Sequence, residues 1–263
     1  MYKEWLLFRT AQEGIDMGLY INSGNEAFKI SVNDDIYIDQ SGILTFTNDR
    51  IGKRKRYLCV SRPRRFGKSL TAEMLTAYYD RSCDSGFLFQ GLEIAKDDSC
   101  AANLNQYDVF SVNIQQFLRG AGEPAQLVPY MESQLLQELQ DMQFCDFAKD
   151  SFSASNLPMA LASLFAREER EKKGYIFIID EWDCIFREAP EDKQAQKAYL
   201  DFLRDLLKDR TYVKLAYMTG ILPVKNMAIQ RSWICILLST SSMSFPWQSL
   251  KAWRNMLVFQ RLT

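Results

Sequence analysis

Arg62-Pro63-Arg64-Arg65-Phe66-Gly67-Lys68-Ser69 has the make-up of a phosphate loop. The apolar run Tyr57-Leu58-Cys59-Val60 precedes it and a helical pattern from Leu70 to Tyr79 follows, so it reads as a strand-to-helix turn. Such a turn aims backbone N–H groups at an anion, and the helix N-terminus adds its dipole. Gly67 would let the backbone approach a phosphate closely. Lys68 would reach the β- and γ-phosphates of a nucleotide, and Ser69 would offer its hydroxyl to Mg²⁺. The usual pattern is G-x-x-x-x-G-K-[ST]; here Arg62 stands at the first glycine, and Arg62, Arg64 and Arg65 add positive charge.

A second segment completes the chemistry. Tyr175-Ile176-Phe177-Ile178-Ile179 is a continuous apolar run, as expected of a strand covered on both faces, and it ends in Asp180-Glu181. A carboxylate there lies at the C-terminal edge of the sheet, where ligands bind in open α/β folds. Asp180 would hold the Mg²⁺ shell through water, and Glu181 would orient the attacking water. Asp183 is expected at the surface, with a supporting acid behind the site as the alternative. Arg187 is expected as a solvated helical arginine, with stabilisation of transition-state charge as the alternative. Thr219 closes a later strand, Tyr212 to Met218. It reads either as a contact to the γ-phosphate or water, or as a capping threonine in a turn with Gly220.

Strand and helix patterns alternate along the rest of the chain. Ile36-Tyr37-Ile38 is a short extended segment, and Tyr107 to Ile114 has strand character. Gln126 to Met142, Pro158 to Lys172 and Lys193 to Leu207 carry apolar residues at helical spacing. This order predicts an α/β fold of the P-loop NTPase type, with a central, mostly parallel sheet flanked by helices.

The 263 residues suffice for one large domain, with 47% hydrophobic and 25% charged residues. The net charge of -1 names no partner, but Arg50 to Ser69 holds nine Lys or Arg and no acid. That run reads as a solvated loop or as a field for polyanions. There is no histidine, which excludes His-based triads and His metal ligands. The six cysteines form no C-x-x-C pair, no signal pattern opens the chain, and no apolar run reaches the length of a membrane span. Reduced thiols and a cytoplasmic location are the expectation. The stretch from Asn226 to Thr263 breaks the composition. It has no Asp or Glu in 38 residues, where about five would be expected, and three of the five tryptophans.

Four motifs in order resemble those of the bacterial AAA-ATPase-like proteins. They are Tyr37-Ile38-Asp39-Gln40-Ser41, Arg62 through Ser69, Asp180-Glu181-Trp182-Asp183, and Thr219-Gly220-Ile221-Leu222-Pro223-Val224-Lys225. The family pattern has the arginine at the first loop glycine and Lys where this chain has Gln40. The resemblance implies an AAA-like P-loop domain using ATP and Mg²⁺. Nucleotide contacts would come from Asp39, Arg62, Arg64, Arg65, Phe66, Gly67, Lys68, Ser69 and Leu70. Metal contacts would come from Ser69 and Asp180, and catalytic roles would fall to Glu181 and Thr219. ATP rather than GTP also rests on the resemblance, since no N-K-x-D guanine reader stands on a suitable loop.

The resemblance divides the chain into an extension (1–16), the P-loop domain (17–225) and an atypical tail (226–263). Met17-Gly18-Leu19-Tyr20 resembles the start of some members. Full-length members usually continue into a nuclease-like domain resembling the PD-(D/E)XK fold, which the tail does not resemble. Codons for Asn226-Met227-Ala228, read two nucleotides later, give Tyr or His and then Gly, as in similar proteins. Trp233-Ile234 gives Asp in that frame. The tail is therefore expected to be out-of-frame translation, a reading that gene sequencing tests. The expected activity is Mg-dependent hydrolysis of ATP to ADP and phosphate. The alternatives are a non-hydrolysing nucleotide-gated switch, a nucleic-acid-binding module, and an inactive truncated copy. A nucleic acid or nuclease-like partner and an oligomer are compatible with the sequence; a membrane partner is not expected.

Overall fold

A computed structural model describes residues 17–142, 156–167, 173–222 and 233–237. In chain order the strands are β1 (Tyr57–Ser61), β2 (Asp108–Asn113), β3 (Tyr175–Asp180), β4 (Val213–Gly220) and β5 (Trp233–Leu237). The α-helices are α1 (Glu26–Val32), α2 (Gly42–Asn48), α3 (Lys68–Tyr79), α4 (Gly86–Phe89), α5 (Cys100–Asn103), α6 (Ile114–Ala121), α7 (Leu127–Asp141), α8 (Leu157–Arg167), α9 (Cys184–Glu188) and α10 (Lys193–Leu207).

The strands form one sheet in the order β2-β3-β4-β1-β5, and every pairing is parallel. Side chains alternate between faces along each strand. Leu58, Val60, Val109, Ile176, Ile178, Leu215 and Tyr217 therefore pack with α1, α2 and α3. Tyr57, Cys59, Phe110, Val112, Tyr175, Phe177, Ile179, Ala216 and Met218 pack with α6, α7, α8 and α10 on the other face. Both faces are covered, and this is why β3 reads as an unbroken apolar run with all six residues buried. The expected three-layer α/β architecture is the one observed.

Element bounds follow local chemistry. Helix α10 begins where Asp192 accepts the Ala195 N–H, and α6 begins where Asn113 accepts that of Gln116. Tyr37 to Gln40 lies outside the helices and strands. Trp233–Leu237 falls in the acid-free tail, and its backbone pairs with β1 along all five residues. The rest of residues 226–263, and with it most of the out-of-frame reading, lies outside the described residues, as do residues 1–16 and Pro223-Val224-Lys225. Among the described residues, no helix is long and apolar enough to cross a membrane.

The parallel register aligns the C-terminal ends of the strands. Asn113 is level with Asp180, Asp180 with Thr219, and Thr219 with Val60. One row across the sheet thus carries an amide, a carboxylate and a hydroxyl beside the strand that enters the basic loop.

Candidate functional site

The loop leaves β1 at Ser61 and enters α3 at Lys68. Gly67, the residue before the helix, has φ 69, the left-handed region that glycine adopts without cost. A Cβ there would lie 2.7 Å from the Gln40 side-chain nitrogen, so a second constraint acts on the same position. Gln40 also accepts a hydrogen bond from Thr71 Oγ1 at 2.8 Å. No side chain caps α3, so its first N–H groups are not taken up by a capping residue. These donors and the helix dipole suit an anion.

Lys68 is buried, and its ammonium donates to the carbonyls of Arg62 (3.3 Å) and Pro63 (3.2 Å). It lies 3.9 Å from Glu181 Oε1. Arg62 is buried too and donates to the Phe66 carbonyl at 3.3 Å; burial pulls its pKa down. Arg64, Arg65 and Phe66 are exposed, with Arg65 at φ 69. Leu70 packs against the apolar cluster beneath α3, so its side chain faces the core.

Asp180 and Ser69 meet although 111 residues separate them: Ser69 Oγ donates to Asp180 Oδ2 at 2.8 Å. Asn113 Nδ2 donates to the same oxygen at 3.3 Å, and Glu181 N–H donates to Oδ1 at 3.0 Å. Burial raises the Asp180 pKa, and these hydrogen bonds and the nearby Lys68 oppose the rise. Glu181 has φ 52, an uncommon conformation for a residue with a Cβ. Its Oε2 accepts a hydrogen bond from Arg187 Nη2.

Thr219 is fully buried, and its hydroxyl makes no hydrogen bond among the described residues. It is the last but one residue of β4 rather than a cap. Its carbonyl accepts the Trp182 N–H at 3.1 Å, which ties the end of β4 to the turn after β3. Gly220 sits where these turns press together. An added Cβ would lie 2.7 Å from Asp183 Oδ1 and 2.8 Å from the Trp182 indole. Gly220→Ala is therefore expected to lower stability by about 1–3 kcal/mol. Thermal unfolding reads this as a drop of about 2–4 °C per kcal/mol for a domain of this size.

Three placements differ from the sequence expectations. Asp183 is not at the surface but fully buried, accepting the N–H groups of Ile221 (2.9 Å) and Leu222 (2.6 Å). Arg187 is not solvated: its side chain is 16% exposed and bridges Glu181 and Asp183. The basic run does not form one field. Gly52 to Lys55 is exposed before β1, whereas Arg62 to Lys68 follows it, so five strand residues, about 16 Å, lie between. Asp39 is placed near but not in the loop, with its carboxylate accepting the N–H groups of Ser41 and Glu93, both at 2.8 Å. Asn113 is a site residue that sequence reading passed over. An Asn ahead of an amphipathic run is a helix-capping signal, and only the sheet register brings it to Asp180.

The oxygens of Ser69 and Asp180 are hard donors set close together, the kind a small hard divalent cation takes. A buried ammonium and an unpartnered buried hydroxyl border them. Such a cation, with an anionic ligand at the start of α3, could be held by this donor set. A family model described as "Predicted AAA-ATPase" matches residues 24–230. No curated protein and no solved structure matches the chain.

Proposed function

Because the chain belongs to the AAA-ATPase-like family, we propose that it binds Mg-ATP at the loop Arg62–Ser69 and hydrolyses it to ADP and phosphate. The observation that carries this is the meeting of Ser69 with Asp180 and of Lys68 with Glu181, at the N-terminus of a 12-residue helix. Lys68 turns its ammonium from the Arg62 and Pro63 carbonyls to the β- and γ-phosphates. Ser69 and Asp180 would hold Mg²⁺. When bound, that ion neutralises developing charge on the phosphates. The backbone N–H groups at the start of α3 bind phosphate oxygens, and Arg64 and Arg65 add charge at the rim. Phe66 stands exposed within the loop, Leu70 offers its backbone N–H in the first turn of α3, and Asp39 braces the segment that lies against the loop.

Glu181 accepts a hydrogen bond from water and aligns its oxygen with the γ-phosphorus. The new P–O bond forms as the bond to the β-phosphate oxygen breaks. The water proton passes to Glu181 or directly to a γ-phosphate oxygen, and ADP departs with the electron pair of the broken P–O bond. Thr219 donates its buried hydroxyl to the γ-phosphate or to the water.

A ligand that binds only the folded state raises stability by about 2.7 kcal/mol at a hundred times its Kd. The thermal midpoint of the whole chain should therefore rise with Mg-ATP. No rise in a well-folded protein would overturn the proposal. Phosphate release then separates hydrolysis from a nucleotide-gated switch. A second reading, nucleic-acid binding, is favoured only by the exposed run Lys53-Arg54-Lys55 at the far end of β1. Loss of salt-sensitive DNA binding on Arg54→Glu, with ATP turnover intact, would support it. We also propose, from sequence, that the P-loop domain spans 17–225, with β5 of the tail added to the edge of its sheet, and that the tail is out of frame; the gene sequence tests the latter.

A further inference from the structure

We infer that Arg187 and Asp183 are positioning residues that hold the Glu181 carboxylate aimed at the phosphate loop. This rests on the ATPase function proposed above and assigns roles within that site.

Glu181, Asp183 and Arg187 lie within seven residues of chain, in the turn after β3 and the short helix α9. Arg187 Nη2 hydrogen-bonds Glu181 Oε2, and Arg187 Nε lies 3.5 Å from Asp183 Oδ2. The same Asp183 oxygen accepts the N–H groups of Ile221 and Leu222. A fully buried carboxylate with two backbone donors and a cation cannot shift without losing all three. Asp183 is thus a fixed point at the exit of β4.

The guanidinium is planar and rigid. With Nε 3.5 Å from Asp183, the ion pair favours the direction in which Nη2 meets Glu181. Glu181 Oε2 is consequently occupied, and Oε1 is the oxygen turned to Lys68, 3.9 Å away. When Lys68 engages phosphate, Oε1 is left to accept from water. Without the Arg187 contact other Glu181 rotamers would become available, and orientation contributes strongly to catalysis. Asp183 also joins the turn carrying Glu181 to the strand end carrying Thr219, so the two groups keep a fixed spacing.

The test uses the whole chain with Arg187→Met, which keeps much of the apolar stem, and Arg187→Lys, which keeps charge but not the fork. Turnover and Mg-ATP affinity are measured separately, alone and on a Glu181→Gln background. The expected result is a kcat lowered tenfold or more in Arg187→Met with unchanged affinity, partly restored in Arg187→Lys. On the Glu181→Gln background, Arg187→Met should have no further effect. Unchanged kcat in Arg187→Met overturns the inference and leaves the ATPase function standing. Affinity lost in step with turnover, or an equal loss on the Glu181→Gln background, also overturns it. A wild-type chain that binds Mg-ATP without turnover overturns hydrolysis, and this inference with it.

Discussion

Glu181→Gln is expected to lower ATP turnover by about 10²–10⁴-fold while leaving Mg-ATP affinity almost unchanged. The substitution keeps size and shape, and the amide oxygen can still accept from Arg187. What disappears is the anionic oxygen that faces the loop 3.9 Å from Lys68. Phosphate binding draws on Lys68, Ser69 and the start of α3, none of which changes. Turnover therefore falls without loss of binding, the signature of a group that acts only on the chemical step. Hydrolysis at the wild-type rate would remove Glu181 from the mechanism.

Lys68→Ala is expected to abolish nucleotide binding altogether. The ammonium is buried between two loop carbonyls and faces Glu181 Oε1, the carboxylate oxygen that Arg187 leaves free. Deleting it leaves Glu181 facing the phosphates with no charge between them. Like charges would then oppose the ligand in a poorly hydrated site. The nucleotide-dependent rise in thermal midpoint should vanish, and circular dichroism should show the fold retained. A full rise in Lys68→Ala would place the nucleotide elsewhere.

The parts of this site that were legible in sequence are those whose surroundings are uniform. Strand β3 is buried on both faces, so every residue from Tyr175 to Ile179 is apolar and the run announces itself. Helix α10 was legible at both ends, because Asp192 marks its start locally and its apolar spacing runs to Leu207. Gly67-Lys68-Ser69 was legible because a phosphate loop is a local device. Asp183 and Arg187 were not. A charged residue after a strand is usually solvated, and these are buried only because Ile221 and Leu222, nearly forty residues on, present N–H groups to Asp183. Asn113 was hidden for a similar reason, since its neighbour Asp180 is fixed by strand register rather than by sequence distance. The Gln40 contact with Gly67 is tertiary as well.

The pairing of β5 with β1 has a consequence for how the chain tolerates being cut. Ladder hydrogen bonds join backbone to backbone, so β5 shields the outer side of β1 whatever side chains it carries. Cleavage ahead of Trp233 would make β1 an edge strand, with a row of unpaired amides and carbonyls on apolar sequence. Such an edge is a template for another chain. The strand feeding the phosphate loop would then become the point at which shortened copies of this protein self-associate.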